Sequence, residues 1–119
     1  MGAVLAGADA IVHSAGIAGA MSGCPEDDCR IFNTEATIGL AQAAHRAGVK
    51  RFIFLSSIRA QCGPTTGQVL TEDLEARPTD AYGKSKLAAW QRSMSIGSRC
   101  GWSAMRGGLE RSPRLIPPA

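Results

Sequence analysis

Nine consecutive residues, Val49-Lys50-Arg51-Phe52-Ile53-Phe54-Leu55-Ser56-Ser57, constrain the fold more than any other stretch of this chain. The run is aromatic and β-branched without helical spacing, and it stops on two hydroxyls, so it reads as a strand. A second short apolar run, Ala8 to Gly16, closes on small residues, as a buried parallel strand does before a turn of close backbone approach. Between the two, Ile31, Phe32, Ala36, Leu40, Ala43 and Ala44 recur at helical intervals from about Asp27 to Ala47. Asp27 and Asp28 suit the positive end of that helix, and Gly48 supplies its stop. Residues Ile58 to Pro78 carry turn chemistry and read as a long loop of the lid or substrate-binding kind. Thr79 or Asp80 can then cap a helix from Ala81 to about Ile96, with Leu87, Trp90 and Met94 on one side. Strand, helix, strand, loop, helix is the order of a right-handed parallel α/β layer. In such layers ligands bind beyond the carboxyl ends of the strands, which puts Ala15-Gly16 and Ser56-Ser57 on one rim.

The whole chain has 119 residues, with 13 basic against 10 acidic side chains, enough for one small domain or part of a larger one. No basic run is interleaved with aromatics, so a nucleic-acid surface is not indicated. No stretch approaches the roughly 20 apolar residues of a membrane span, and the N-terminus lacks the charged lead of a secretory signal. The expected location is the cytoplasm. Cys24, Cys29, Cys62 and Cys100 form no C-x-x-C pair and no Cys/His cluster, so they read as free thiols, with no metal. His13 and His45 have no carboxylate or thiol at triad spacing, and His45 reads as structural.

Tyr82 and Lys86, in Ala81-Tyr82-Gly83-Lys84-Ser85-Lys86-Leu87, stand four residues apart where the last helix begins, and therefore on one helical face. A phenol that exchanges a proton near neutrality must be drawn down from an unperturbed pKa of about 10. A neighbouring ammonium does this by favouring the phenolate. The spacing alone is equally that of a solvated helix face.

Four segments in order resemble the extended short-chain dehydrogenase/reductases, specifically the NAD-dependent epimerase/dehydratase group acting on nucleotide sugars. They are Asp9 to Gly16, Phe32-Asn33-Thr34-Glu35-Ala36-Thr37, Arg51 to Ser57, and Tyr82-Gly83-Lys84-Ser85-Lys86, and the likeness runs from about Leu5 to Arg92. The resemblance implies a Rossmann-like doubly wound parallel sheet and a catalytic set of Tyr82, Lys86, Ser57 and Asn33. Tyr82 would be the general acid/base, and Lys86 would tune it and bind the nicotinamide ribose. Ser57 would hold the reacting oxygen, and Asn33 would order the site and its waters. Ala15, Gly16, Asn33, Ser56, Tyr82 and Lys86 would bind NAD or NADP. The implied substrate is a nucleotide sugar, with homodimers expected among full-length relatives.

The departures are equally specific. The first βαβ unit with its Gly-rich pyrophosphate turn, expected before Leu5, is missing, as is the C-terminal substrate domain. Residues 1–106 are thus expected to form a partial NAD(P)-binding domain, and 107–119 an irregular, divergent tail. A sheet lacking those elements would leave apolar surface uncovered, with marginal stability or self-association as the consequence. Three outcomes stay open: an NAD(P)-dependent epimerase, dehydratase or reductase, a non-catalytic Rossmann-like binding module, and a truncated remnant without activity. Steroid and flavonoid reductases share the implied core.

Overall fold

The computed structural model describes residues 2–18, 23–71, 73–97, 102–106 and 109–111. Its sheet has the order β1 (Ala10–His13), β2 (Arg51–Leu55), β3 (Ser103–Arg106), β4 (Leu109–Arg111). The first three strands are parallel, as the sequence order requires, and β4 returns antiparallel to β3. That last strand lies inside 107–119, so this segment is not irregular throughout, and its other residues lie outside the described ones.

Alternation along β2 sets the core. Phe52 and Phe54 point to one face and are fully buried, while Ile53 and Leu55 on the other are half-buried. The two rings meet Ala41 and Ala44 of α3 (Ala36–Arg46), Ala89 and Met94 of α4 (Ala81–Ile96), and Trp102. Phe52 and Trp102 stack with centroids 4.8 Å apart. On the opposite face Val12, paired in register with Ile53, stays 62% exposed.

The long helix begins at α2 (Glu26–Cys29), passes through a π-helical segment, Arg30–Glu35, and continues without a break into α3. It closes on Gly48, whose φ of 73° admits a Schellman turn: Gly48 N–H donates to the His45 carbonyl (3.1 Å) and Val49 N–H to that of Ala44 (3.0 Å). A four-residue helix, α1 (Gly2–Leu5), precedes β1. Helix α4 has the expected limits, but its buried side is not the apolar stripe. Gly83, Ser85, Lys86, Ala89, Ser93 and Met94 are buried, whereas Leu87 and Trp90 are only half-buried. A lysine therefore occupies a place that periodicity would give to an aliphatic residue.

The reading of free thiols fails at Cys24 and Cys29, which form a disulfide. Pro25 and the start of α2 bring their Cα atoms to 5.9 Å, within bridging distance, although a C-x-x-C search passes over this spacing. Cys62 is a free thiol, and Cys100 lies outside the described residues. Among the described residues no helix is long and apolar enough to cross a membrane, and no three His, Cys, Asp or Glu side chains cluster as a metal site.

Candidate active site

Because β1 and β2 run parallel with His13 opposite Phe54, Ser14-Ala15-Gly16 and Ser56-Ser57 leave the sheet at the same end. The long loop returns α4 to this rim, pinned across its legs by Gln61: its side-chain Nε2 donates to the Thr71 carbonyl (2.6 Å), and its backbone carbonyl accepts from Arg77 N–H (2.8 Å). Of the two proposed caps it is Asp80 that serves, accepting from Gly83 N–H at 2.7 Å. Its other carboxylate oxygen pairs with the Arg59 guanidinium. Arg59 belongs to the 3₁₀ turn Ile58–Ala60, which Ser57 caps by accepting from Arg59 N–H at 3.2 Å. That bond occupies a lone pair of the Ser57 hydroxyl and leaves its proton free to be donated. The Ser56 hydroxyl is buried with no hydrogen-bond partner among the described residues.

Lys86 is 4% exposed, and among the described residues it has no carboxylate partner. Its ammonium donates to the Leu55 carbonyl at 2.9 Å, directly before the twin serines, and lies 4.5 Å from the centroid of the Phe54 ring. Desolvation pushes its pKa below the usual lysine value. An unpaired buried cation is costly, and such groups concentrate at functional sites. Tyr82 stands one turn earlier on the helix, half-buried, and among the described residues nothing hydrogen-bonds its hydroxyl. The structure thus brings Lys86 to Ser56 and Ser57 through Leu55, and joins the Ser57 turn to the first turn of α4.

Asn33 is 1% exposed and engaged within the protein. Its Oδ1 accepts from Ile17 N–H (2.8 Å), and its Nδ2 donates to the Ile17 carbonyl (2.9 Å) and the Ser85 hydroxyl (3.0 Å). Both donors are spent, so this side chain holds the segment after β1 against α4. The π-helical turn carries both Asn33 and Thr34 inward, and Thr34 donates to the Ser85 carbonyl at 2.9 Å. A Cβ at Gly16 would come within 2.9 Å of Asn33 Oδ1, which accounts for the glycine there, while Ala15 is an exposed residue of the rim.

Sequence reasoning gave no role to Ser85, Thr34 or Arg59, and it read His13 as isolated. His13 is buried, its Nε2 lies 2.8 Å from Thr37 Oγ1, and its ring stacks on Phe54 at 5.8 Å. Burial first, and the charge of Lys86 second, hold its pKa below the ordinary imidazole value of 6.5. The unfolded chain therefore takes up a proton as pH falls below 6.5, where the folded chain still resists it. Stability is expected to be full above that pH and to be lost as pH drops through the folded value. Urea melts at stepped pH should show this loss reduced in His13→Asn, and an unchanged acid limb in that variant would count against it.

Near this rim stand a half-buried phenol, an ammonium with no carboxylate partner among the described residues, and a serine hydroxyl that accepts from a backbone N–H. The sequence model of the NAD dependent epimerase/dehydratase family matches residues 2–107. The chain belongs to that family. UDP-glucose 4-epimerase of Vibrio cholerae is 37% identical over 91 residues, which cover 72% of this chain and 27% of that protein. Among solved structures, MoeE5 in complex with UDP-glucuronic acid and NAD aligns with a TM-score of 0.77 at 28% identity, over 88% of this chain and 36% of its own. The UDP-Glc/GlcNAc 4-epimerase of Campylobacter jejuni aligns with a TM-score of 0.71 at 27% identity, over 82% and 31% respectively. The chain spans only about a third of the length of these relatives.

Proposed function

We propose that this chain carries the proton-transfer and nicotinamide-side portion of an NAD(P)-dependent epimerase or dehydratase acting on a nucleotide sugar. The observation that carries the reading is Lys86, buried with no counter-ion among the described residues, one turn beyond Tyr82 and bonded to the Leu55 carbonyl that directly precedes Ser56-Ser57. The Ser56 hydroxyl, without a partner among the described residues, fits a polar group arriving from outside the protein, as the Lys86 ammonium fits a ribose hydroxyl. Lys86 and Ser56, with Ala15 and Gly16 at the rim, would hold the nicotinamide half of NAD. When bound, the cofactor would supply a hydride acceptor at the sugar carbon.

The remaining chemistry falls to the chain itself. Tyr82 takes the proton of the sugar hydroxyl as that carbon becomes a carbonyl, and returns it when the carbonyl is reduced again. Ser57 donates its free O–H to the same oxygen. Lys86 supplies a fixed positive charge on the Tyr82 face of the helix.

The test uses the intact enzyme containing this chain, supplied with NAD and, in turn, UDP-glucose, UDP-glucuronic acid and dTDP-glucose. Nuclear magnetic resonance should detect a C4 epimer or a keto sugar from at least one of them. Cofactor binding without conversion of any of the three would overturn the reading.

A further inference from the structure

The turn that carries Ser57 and the helix that carries Tyr82 are joined by side chains that the proposed chemistry does not use. Asp80 works with both oxygens: Oδ1 caps α4 through Gly83 N–H, and Oδ2 pairs with Arg59. The Arg59 amide in turn donates to the Ser57 hydroxyl. The Arg59 carbonyl lies directly against Gly83, where any Cβ would strike it. A continuous path therefore runs from the Ser57 hydroxyl through Arg59 and Asp80 to the residue after Tyr82.

We propose that Arg59 and Asp80 are positioning residues: their ion pair clamps the Ser57 turn onto the first turn of α4 and fixes the Ser57 hydroxyl relative to the Tyr82 phenol. The proposal rests on the nucleotide-sugar reading for its consequence, though not for its geometry. An ion pair whose side chains are 33% and 38% exposed contributes little to overall stability, so its role is one of alignment. Small misplacements of reacting groups are costly, since displacement by about 1 Å can lose 10²-fold in rate.

Asp80→Asn separates the two duties of the aspartate. Asparagine is as good an N-cap, so α4 keeps its start, while the ion pair is removed. In the intact enzyme, Asp80→Asn and Arg59→Gln should each lower kcat by roughly tenfold or more with KM little changed. The double variant should be no worse than either single one, because both remove the same contact. Arg59→Lys should recover much of the rate. Independently of any turnover, amide exchange at Arg59 should quicken several-fold in Asp80→Asn while Gly83 stays protected. Unchanged exchange at Arg59, or additive losses in the double variant, would overturn the clamp. Absence of conversion in the native enzyme, with the exchange result intact, would instead remove the nucleotide-sugar reading and leave the clamp standing.

Discussion

Tyr82→Phe in the intact enzyme is expected to lose about 10²–10⁴-fold in turnover, the contribution typical of a positioned general acid/base. The change removes one oxygen and keeps the ring, so packing at the start of α4 should survive. Cofactor affinity should fall far less than turnover, because the groups proposed to hold the nicotinamide half, Lys86 and Ser56, are untouched. The phenol is free for this work: it is half-buried, and among the described residues no group bonds its hydroxyl. Lys86→Met makes the contrasting case. It removes a cation that donates to the Leu55 carbonyl and lies over Phe54, so both binding and turnover should drop. Pre-steady-state measurement of the sugar oxidation step separates the two variants. Turnover within a factor of a few of native in Tyr82→Phe would assign the proton to another group.

Much of the layer was legible because periodicity and caps report local structure. The limits of α4, the Gly48 stop and the parallel order of β1 and β2 follow from side-chain spacing and backbone freedom alone. What stayed hidden depends on contacts between distant residues. Asn33 stands on a helix whose period says nothing of the Ile17 backbone that it bonds from within the π-helical segment. The Cys24–Cys29 bridge depends on how Pro25 leads the loop into α2. The inner face of α4 misled for a different reason. Its buried positions hold Gly83, Ser85, Lys86 and Ser93, so hydrophobic spacing pointed to the flanking Leu87 and Trp90. Polar residues at core positions are where a reading of the apolar pattern departs from the fold, and here they coincide with the site.

Gly83→Ala reverses the usual sign of a helix substitution. In an ordinary helix interior, alanine is favoured over glycine by about 0.8–1.0 kcal/mol. At Gly83 the new methyl would collide with the Arg59 carbonyl and stand 3.0 Å from Pro78 Cβ. The obstacle is backbone, so it cannot swing aside as a side-chain tip can. Overpacking of this kind costs about 1–3 kcal/mol, which exceeds the propensity gain. A net loss of stability is therefore expected, seen as a lower urea midpoint with unchanged slope. Gly39→Ala is the control, because a Cβ there meets nothing within 4 Å and its position in α3 should show the normal gain. The backbone can escape the clash only by moving the Ile58–Ala60 turn off α4, which would also carry Ser57 away from Tyr82. Loss of turnover in Gly83→Ala should thus exceed what its unfolded fraction explains. A more stable Gly83→Ala chain would show that the turn and the helix do not touch as described.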